Sequence, residues 1–154
     1  MTTDLWDFAT NLYARPGVET ACLALQDAGA DVCLVLCGLW LDQRATHCTT
    51  DYVAQLRQAA APWQRDVVVP LRRLRQSWRE AAQTDQALAL LRQHLKQLEL
   101  DAEREHLQRL QALSAGWPKL PESSARHWLD ALAPTSTTAT REACDLLHST
   151  RLQR

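Results

Sequence analysis

The chain has 154 residues, 46% apolar and 23% charged, with a formal net charge of −1. That length and composition allow one substantial core and exclude a disordered polar chain. The near-neutral charge excludes wholesale capture by nucleic acid or an anionic membrane. Gly is scarce, at 4 residues, while Leu, Ala, Gln and Arg dominate, so the composition leans to helix. Residues 1–7 hold no basic segment and no apolar one, so no signal peptide is expected. The longest apolar stretch, residues 32–41, is about half of the roughly 20 residues that a bilayer span requires. Cys22, Cys33, Cys37, Cys48 and Cys144 are odd in number and lack CxxC spacing. Such a set suits reduced thiols in a cytoplasm better than a disulfide framework.

In chain order, Asp4 caps a predicted helix over residues 5–14, with Leu5, Phe8, Ala9 and Leu12 on one face. Arg15-Pro16-Gly17 breaks it, and a second helix runs over 18–28 to a stop at Gly29. Asp31 caps a third, over 32–43, with almost no polar face. A helix that is apolar all round is buried all round, so this one is expected at the centre. A buried strand is the competing reading, which length and the lack of a partner strand disfavour. Thr49 or Thr50 caps a helix over 51–61, and the pattern resumes from Pro62 to Gln83. There Trp63, Val67, Leu71, Leu74 and Trp78 form one stripe, with a kink or break expected near Val69 because of Pro70. The longest helix covers 86–115, with a stripe of Leu88, Leu91, Leu95, Leu98 and Ala102. After a loop at 116–121, Ser123 or Ser124 caps a short helix to Leu132. Residues 133–140 read as low-complexity linker, and 141–152 as a last helix that docks or frays.

No constellation of catalytic type stands out. Cys33 and Cys37 lie one turn apart and read as packing residues. The adjacent His47-Cys48 offers poor metal geometry, so no metal is expected. None of His47, His94, His106, His127 and His148 falls in an HExxH motif. Glu103 and His106 make a single Glu-x-x-His, where a di-metal bundle needs two, and Glu99, Glu103 and Glu105 read as solvated. Gln26, Asp27 and Asp31 sit beside the apolar helix as a candidate ligand-binding set, with capping as the plainer role for Asp31. Arg72, Arg75 and Arg79 share a helix face and are candidates for a partner or anion contact, or for pairing with the acidic run Glu99, Asp101, Glu103 and Glu105. Trp117, in a loop before Pro118, is the candidate for a surface contact.

Several segments resemble a family of small helical proteins from proteobacteria known only as a domain of unknown function. They are Leu5-Trp6-Asp7-Phe8, Tyr13-Ala14-Arg15-Pro16-Gly17-Val18, Cys22-Leu23-Ala24-Leu25-Gln26-Asp27, Asp31-Val32 and Leu39-Trp40-Leu41. Ala61-Pro62-Trp63, Pro70-Leu71-Arg72 and Leu98-Glu99 extend the resemblance over about residues 5–113. Members of that family tend to carry Asn at the position of Cys33. The resemblance implies a helical fold and a bacterial cytoplasm, and no activity.

The expected fold is all-α, an irregular bundle of five to seven helices around a buried helix at about 32–43. Residues 1–116 form the bundle and 117–154 a tail packed on the same domain. The expected function is a non-enzymatic protein–protein interaction or regulatory role in the cytoplasm, with an unknown protein partner or a homo-oligomer and no cofactor. The alternatives are a small-ligand binder or enzyme using Gln26, Asp27 and Asp31, and nucleic-acid binding through the Arg face. No membrane contact is expected.

Overall fold

The computed structural model describes residues 4–121 and 126–153. It is all-α: α1 Leu5–Tyr13, α2 Val18–Asp27, α3 Val32–Gln43, α4 Thr50–Trp63, α5 Val69–Ser77, α6 Gln86–Ser114, α7 His127–Leu132 and α8 Thr138–Leu152. A π turn, Gln64–Val68, joins α4 to α5 without a break. Counted as one rod, α4 to α5 brings the described residues to seven helices, within the expected range.

The caps lie where side-chain chemistry puts them. Asp4 accepts the Asp7 N–H at 2.8 Å and Thr49 accepts the Tyr52 N–H at 3.0 Å. Gly29, at φ +89°, closes α2 with Ala30 N–H donating to the Leu25 carbonyl at 3.0 Å. Every residue from Cys33 to Asp42 is buried, so α3 is the enclosed rod that its composition implies.

Three expectations need correction. Pro70 does not break the helix; the π turn just before it absorbs the missing backbone donor. None of Trp63, Val67, Leu71, Leu74 and Trp78 is fully buried; Leu56, Ala60 and Val68 are the buried positions of that rod. On α6, Leu91 and Leu98 are 54% and 52% exposed. The inward line runs instead through Leu95, Glu99, Ala102, His106, Leu110 and Ser114.

Beyond α6 the chain returns to the core. The stretch expected as linker ends in a capping box, Thr137 with Thr140, that starts α8. α8 lies along α2, burying Ala143, Cys144 and Leu147. Ser123 and Ser124 lie outside the described residues. α7 crosses the C-terminal half of α3 so closely that a Cβ on Gly38 would stand 3.1 Å from Leu132 Cδ1 and 3.3 Å from the Trp128 carbonyl oxygen. Asp42 accepts the N–H groups of Trp128 and Leu129 at 2.9 and 3.0 Å, capping α7 from another helix. Trp128 Nε1–H donates to the Thr46 carbonyl at 2.9 Å. Trp117 is half-buried rather than free at the surface. Its ring stacks on Tyr52 at 4.3 Å and on Trp128 at 5.6 Å. Among the described residues no helix is long and apolar enough to cross a membrane.

Candidate functional site

The N-terminal end of α3 borders a cavity of about 490 Å³ walled by α1, α2, α3, α5 and α6. Trp6, Tyr13, Leu23, Val32, Leu36 and Leu100 supply an apolar wall. Gln26, Asp31, Gln64, Arg72, Arg75, Glu99 and Glu103 supply the polar one. Its size and its mix of apolar surface with a few polar groups are those of a small-molecule site.

Each polar group has a definable state. Asp31 Oδ1 accepts the Leu34 N–H at 3.1 Å, the expected helix cap, and Oδ2 is joined to His106 Nε2 by a 2.7 Å hydrogen bond. The His106 side chain is 1% exposed and stands behind Asp31, off the cavity surface. Glu99 is claimed by Arg75, whose Nε donates to Oε2 at 2.5 Å and Nη2 to Oε1 at 3.3 Å. Arg72 is held less well. Its Nε lies 3.4 Å from Glu99 Oε1 and its Nη2 3.9 Å from Glu103 Oε1. The Nε is buried and makes no hydrogen bond. The Glu103 carboxylate likewise has only that distant ion pair among the described residues.

Carboxylates outnumber guanidinium groups on the cavity wall itself, with Asp31, Glu99 and Glu103 beside Arg72 and Arg75, and Asp31 is bonded to His106 behind the wall. Burial pushes the Glu103 carboxyl up from its ordinary range and Glu99 pushes it further, against the pull of Arg72 and Arg75. Burial also raises the Tyr13 phenol, helped by Glu19. The Cys22 thiol, on the same wall, is pushed up to about 12 by burial, and that of Cys33 well above the ordinary value. These are protonated packing groups rather than thiolates.

Of the residues singled out in the sequence, the fold brings Gln26 and Asp31 into the cavity and leaves Asp27 exposed outside it. The Arg face divides. Arg72 and Arg75 turn toward Glu99, the internal pairing that the acidic run on α6 made possible, and Arg79 stays exposed. Glu99 is buried and Glu103 half-buried, which corrects their reading as solvated. Trp6 and Tyr13 were not singled out as site residues from sequence, whereas the Arg72–Glu103 contact falls within the pairing offered between the Arg face and the acidic run. The signal that could have shown part of the wall is the line Leu95, Ala102, Leu110 on α6, with Glu99 and His106 filling the inward gaps.

A second, more open cleft of about 630 Å³ lies on the other side of Asp31 and Gln64, edged by Arg57, Arg65 and Arg73. Arg57 Nη2 already donates to the Ala131 carbonyl at 2.7 Å, and Arg65 pairs with Asp66. Among the described residues no three His, Cys, Asp or Glu side chains converge as a metal set.

No curated protein and no solved structure matches this chain. A family model described as "protein of unknown function (DUF2390)" matches residues 4–110. That span contains every residue lining the inner cavity, while α7 and α8 lie beyond it. With most of its length matched, the chain belongs to this family of proteins of unknown function.

Proposed function

We propose that this protein binds a small organic ligand in the cavity at the N-terminal end of α3. The observation that carries the reading is the Arg72–Glu103 pair on the cavity wall. Arg72 is largely withdrawn from water and Glu103 half-buried, the two are 3.9 Å apart, and neither side chain makes a hydrogen bond within the described chain. Charges in that state cost stability unless something satisfies them, and folded chains keep such groups mainly where they serve a site. The π turn opposite, at Gln64–Val68, is a kind of helix defect that recurs at functional sites. The two features that favoured a protein partner, the Arg face and Trp117, are largely taken up inside the molecule. All five cysteines are free thiols and four are buried, which supports a reducing compartment such as a bacterial cytoplasm.

Titrating the ¹⁵N-labelled protein with a set of soluble aromatic fragments tests this. Binding in the cavity should move the amide resonances of Tyr13, Gln26, Val32 and Leu100 together. A plug at the exposed rim, Thr10→Trp, should abolish those shifts without unfolding the protein. Fragments that leave these resonances unmoved, or that shift them equally in the plugged variant, would refute the proposal.

A second reading has one observation behind it. Leu90, Leu91 and Leu98 on α6 are each more than half exposed, and Leu74 on α5 is 41% exposed, a row of apolar side chains that self-association would cover. Native mass spectrometry of the wild type and of Leu91→Glu/Leu98→Glu decides it. A dimer lost in the variant supports homo-oligomerisation, and a wild-type monomer at tens of micromolar removes it.

A further inference from the structure

We infer that the ligand of the inner cavity is an organic cation, a protonated amine beside an apolar or aromatic body, with Glu103 as its counter-ion. The inference rests on the cavity being a ligand site and adds the chemistry of the occupant.

The carboxylates on the wall differ in what they have left to offer. Asp31 has committed one oxygen to the Leu34 N–H and the other to His106. Glu99 has committed both to Arg75. The Glu103 carboxylate accepts no hydrogen bond, so it alone of the three keeps its acceptor capacity among the described residues. It also sits on a wall where three carboxylates stand beside two guanidinium groups. Burial, Glu99 and Asp31 all oppose its ionisation, and a bound ammonium group would reverse that.

Arg72 has unused donors too, which raises the opposite possibility of an anion. Its surroundings argue against it. A carboxylate or phosphate reaching Arg72 would also meet Glu99, 3.4 Å from Nε, and Glu103, 3.9 Å from Nη2. Arg75 is already paired to Glu99 and Arg72 is shared between Glu99 and Glu103, so an anion there would gain no uncompensated positive charge. The apolar wall points the same way as Glu103. Trp6 and Tyr13 line it, and Arg104 lies over the Trp6 ring at 4.9 Å, so this part of the molecule already holds a cation beside an aromatic group. Leu23, Val32, Leu36 and Leu100 would cover the ligand's apolar body.

Three probes of near-equal size separate the terms: phenethylamine (cationic), 2-phenylethanol (neutral) and phenylacetate (anionic). Each is titrated into the wild type and into Glu103→Gln, with the Tyr13, Gln26 and Val32 amide shifts as readout. The expected order in the wild type is amine, then alcohol, then acid, with the amine about tenfold tighter than the alcohol, the size of one desolvated charge pair. In Glu103→Gln that preference should fall to about twofold or less while the alcohol binds as before. If amine and alcohol bind the wild type equally, or phenylacetate binds best, the cation assignment is wrong although the cavity remains a ligand site. An amine preference that survives Glu103→Gln also overturns the assignment to Glu103. If none of the three moves the cavity resonances, both the assignment and the cavity reading fall.

Discussion

At one end of α3, Asp42 is buried and its carboxylate receives two backbone N–H groups from α7, at 2.9 and 3.0 Å. At the other end, Arg72 and Glu103 lie beside the cavity 3.9 Å apart with no hydrogen bond between them. Charged groups therefore flank both ends of the apolar rod in different states. At the first end the Asp42 carboxylate is matched and the space is filled: Trp128 is 0% exposed, its indole N–H is bonded to Thr46 and its ring is stacked on Trp117. Around Asp31 and Glu103 there is a cavity, an Arg72 Nε without a hydrogen bond and a Glu103 carboxylate held only by a distant ion pair. The first end holds the fold together, and the second is where the proposed ligand would bind.

Substitutions at the sealed end should be the costly ones. Trp128→Ala removes the largest fully buried side chain and should cost about 3–5 kcal/mol, read as a lowered urea midpoint. Asp42→Ala leaves the Trp128 and Leu129 N–H groups without an acceptor and should cost about 2–3 kcal/mol. Amide exchange in α7 should rise with it, while exchange in α1 and α2 changes far less. Gly38→Ala sets a gain in helix propensity against the 3.1 and 3.3 Å approaches of Leu132 and Trp128, and a net loss of about 1–2 kcal/mol is expected. Were Asp42→Ala no worse than an ordinary surface change, the contrast between the two ends would fail.

The sequence made the rod and its capped N-terminal end legible, and the tertiary contacts at both ends only in small part. The rod itself, its Asp31 cap and the Gly29 stop are local signals: a run of apolar residues, an acid at the N-cap and a glycine at positive φ. The binding wall is not local. Glu99 meets Arg75 across 24 residues, and His106 meets Asp31 across 75. No spacing along one helix encodes such pairs. The α6 stripe was misplaced for the same reason. Counting leucines put Leu91 and Leu98 inward, whereas the inward line carries Glu99 and His106, polar groups made tolerable by partners on α5 and the α3 cap. Asp42 did leave a trace. An acid in the last turn of an otherwise apolar helix opposes the helix dipole, and such a residue usually has a partner elsewhere. Trp117 looked exposed because a loop gives no sign of the rings that stack on it.

At the open end the expected effects are smaller. Asp31→Asn keeps an oxygen for the Leu34 N–H but sets an NH2 donor against His106 Nε2 in place of the acceptor oxygen, so it should cost about 1–2 kcal/mol.

The most direct test is the urea midpoint of Glu103→Gln against the wild type, at pH 7 and again at pH 4.5, the ordinary value for a glutamate carboxyl. Burial raises the folded-state value, so ionised Glu103 weakens the fold above that range, and the wild type recovers the difference as pH falls through it. Glu103→Gln should therefore be as stable as the wild type or more so at pH 7, with the gap closing toward pH 4.5. A variant clearly less stable than the wild type at pH 7, as Asp42→Ala is expected to be, would make Glu103 a structural residue and remove the distinction between the two ends of α3.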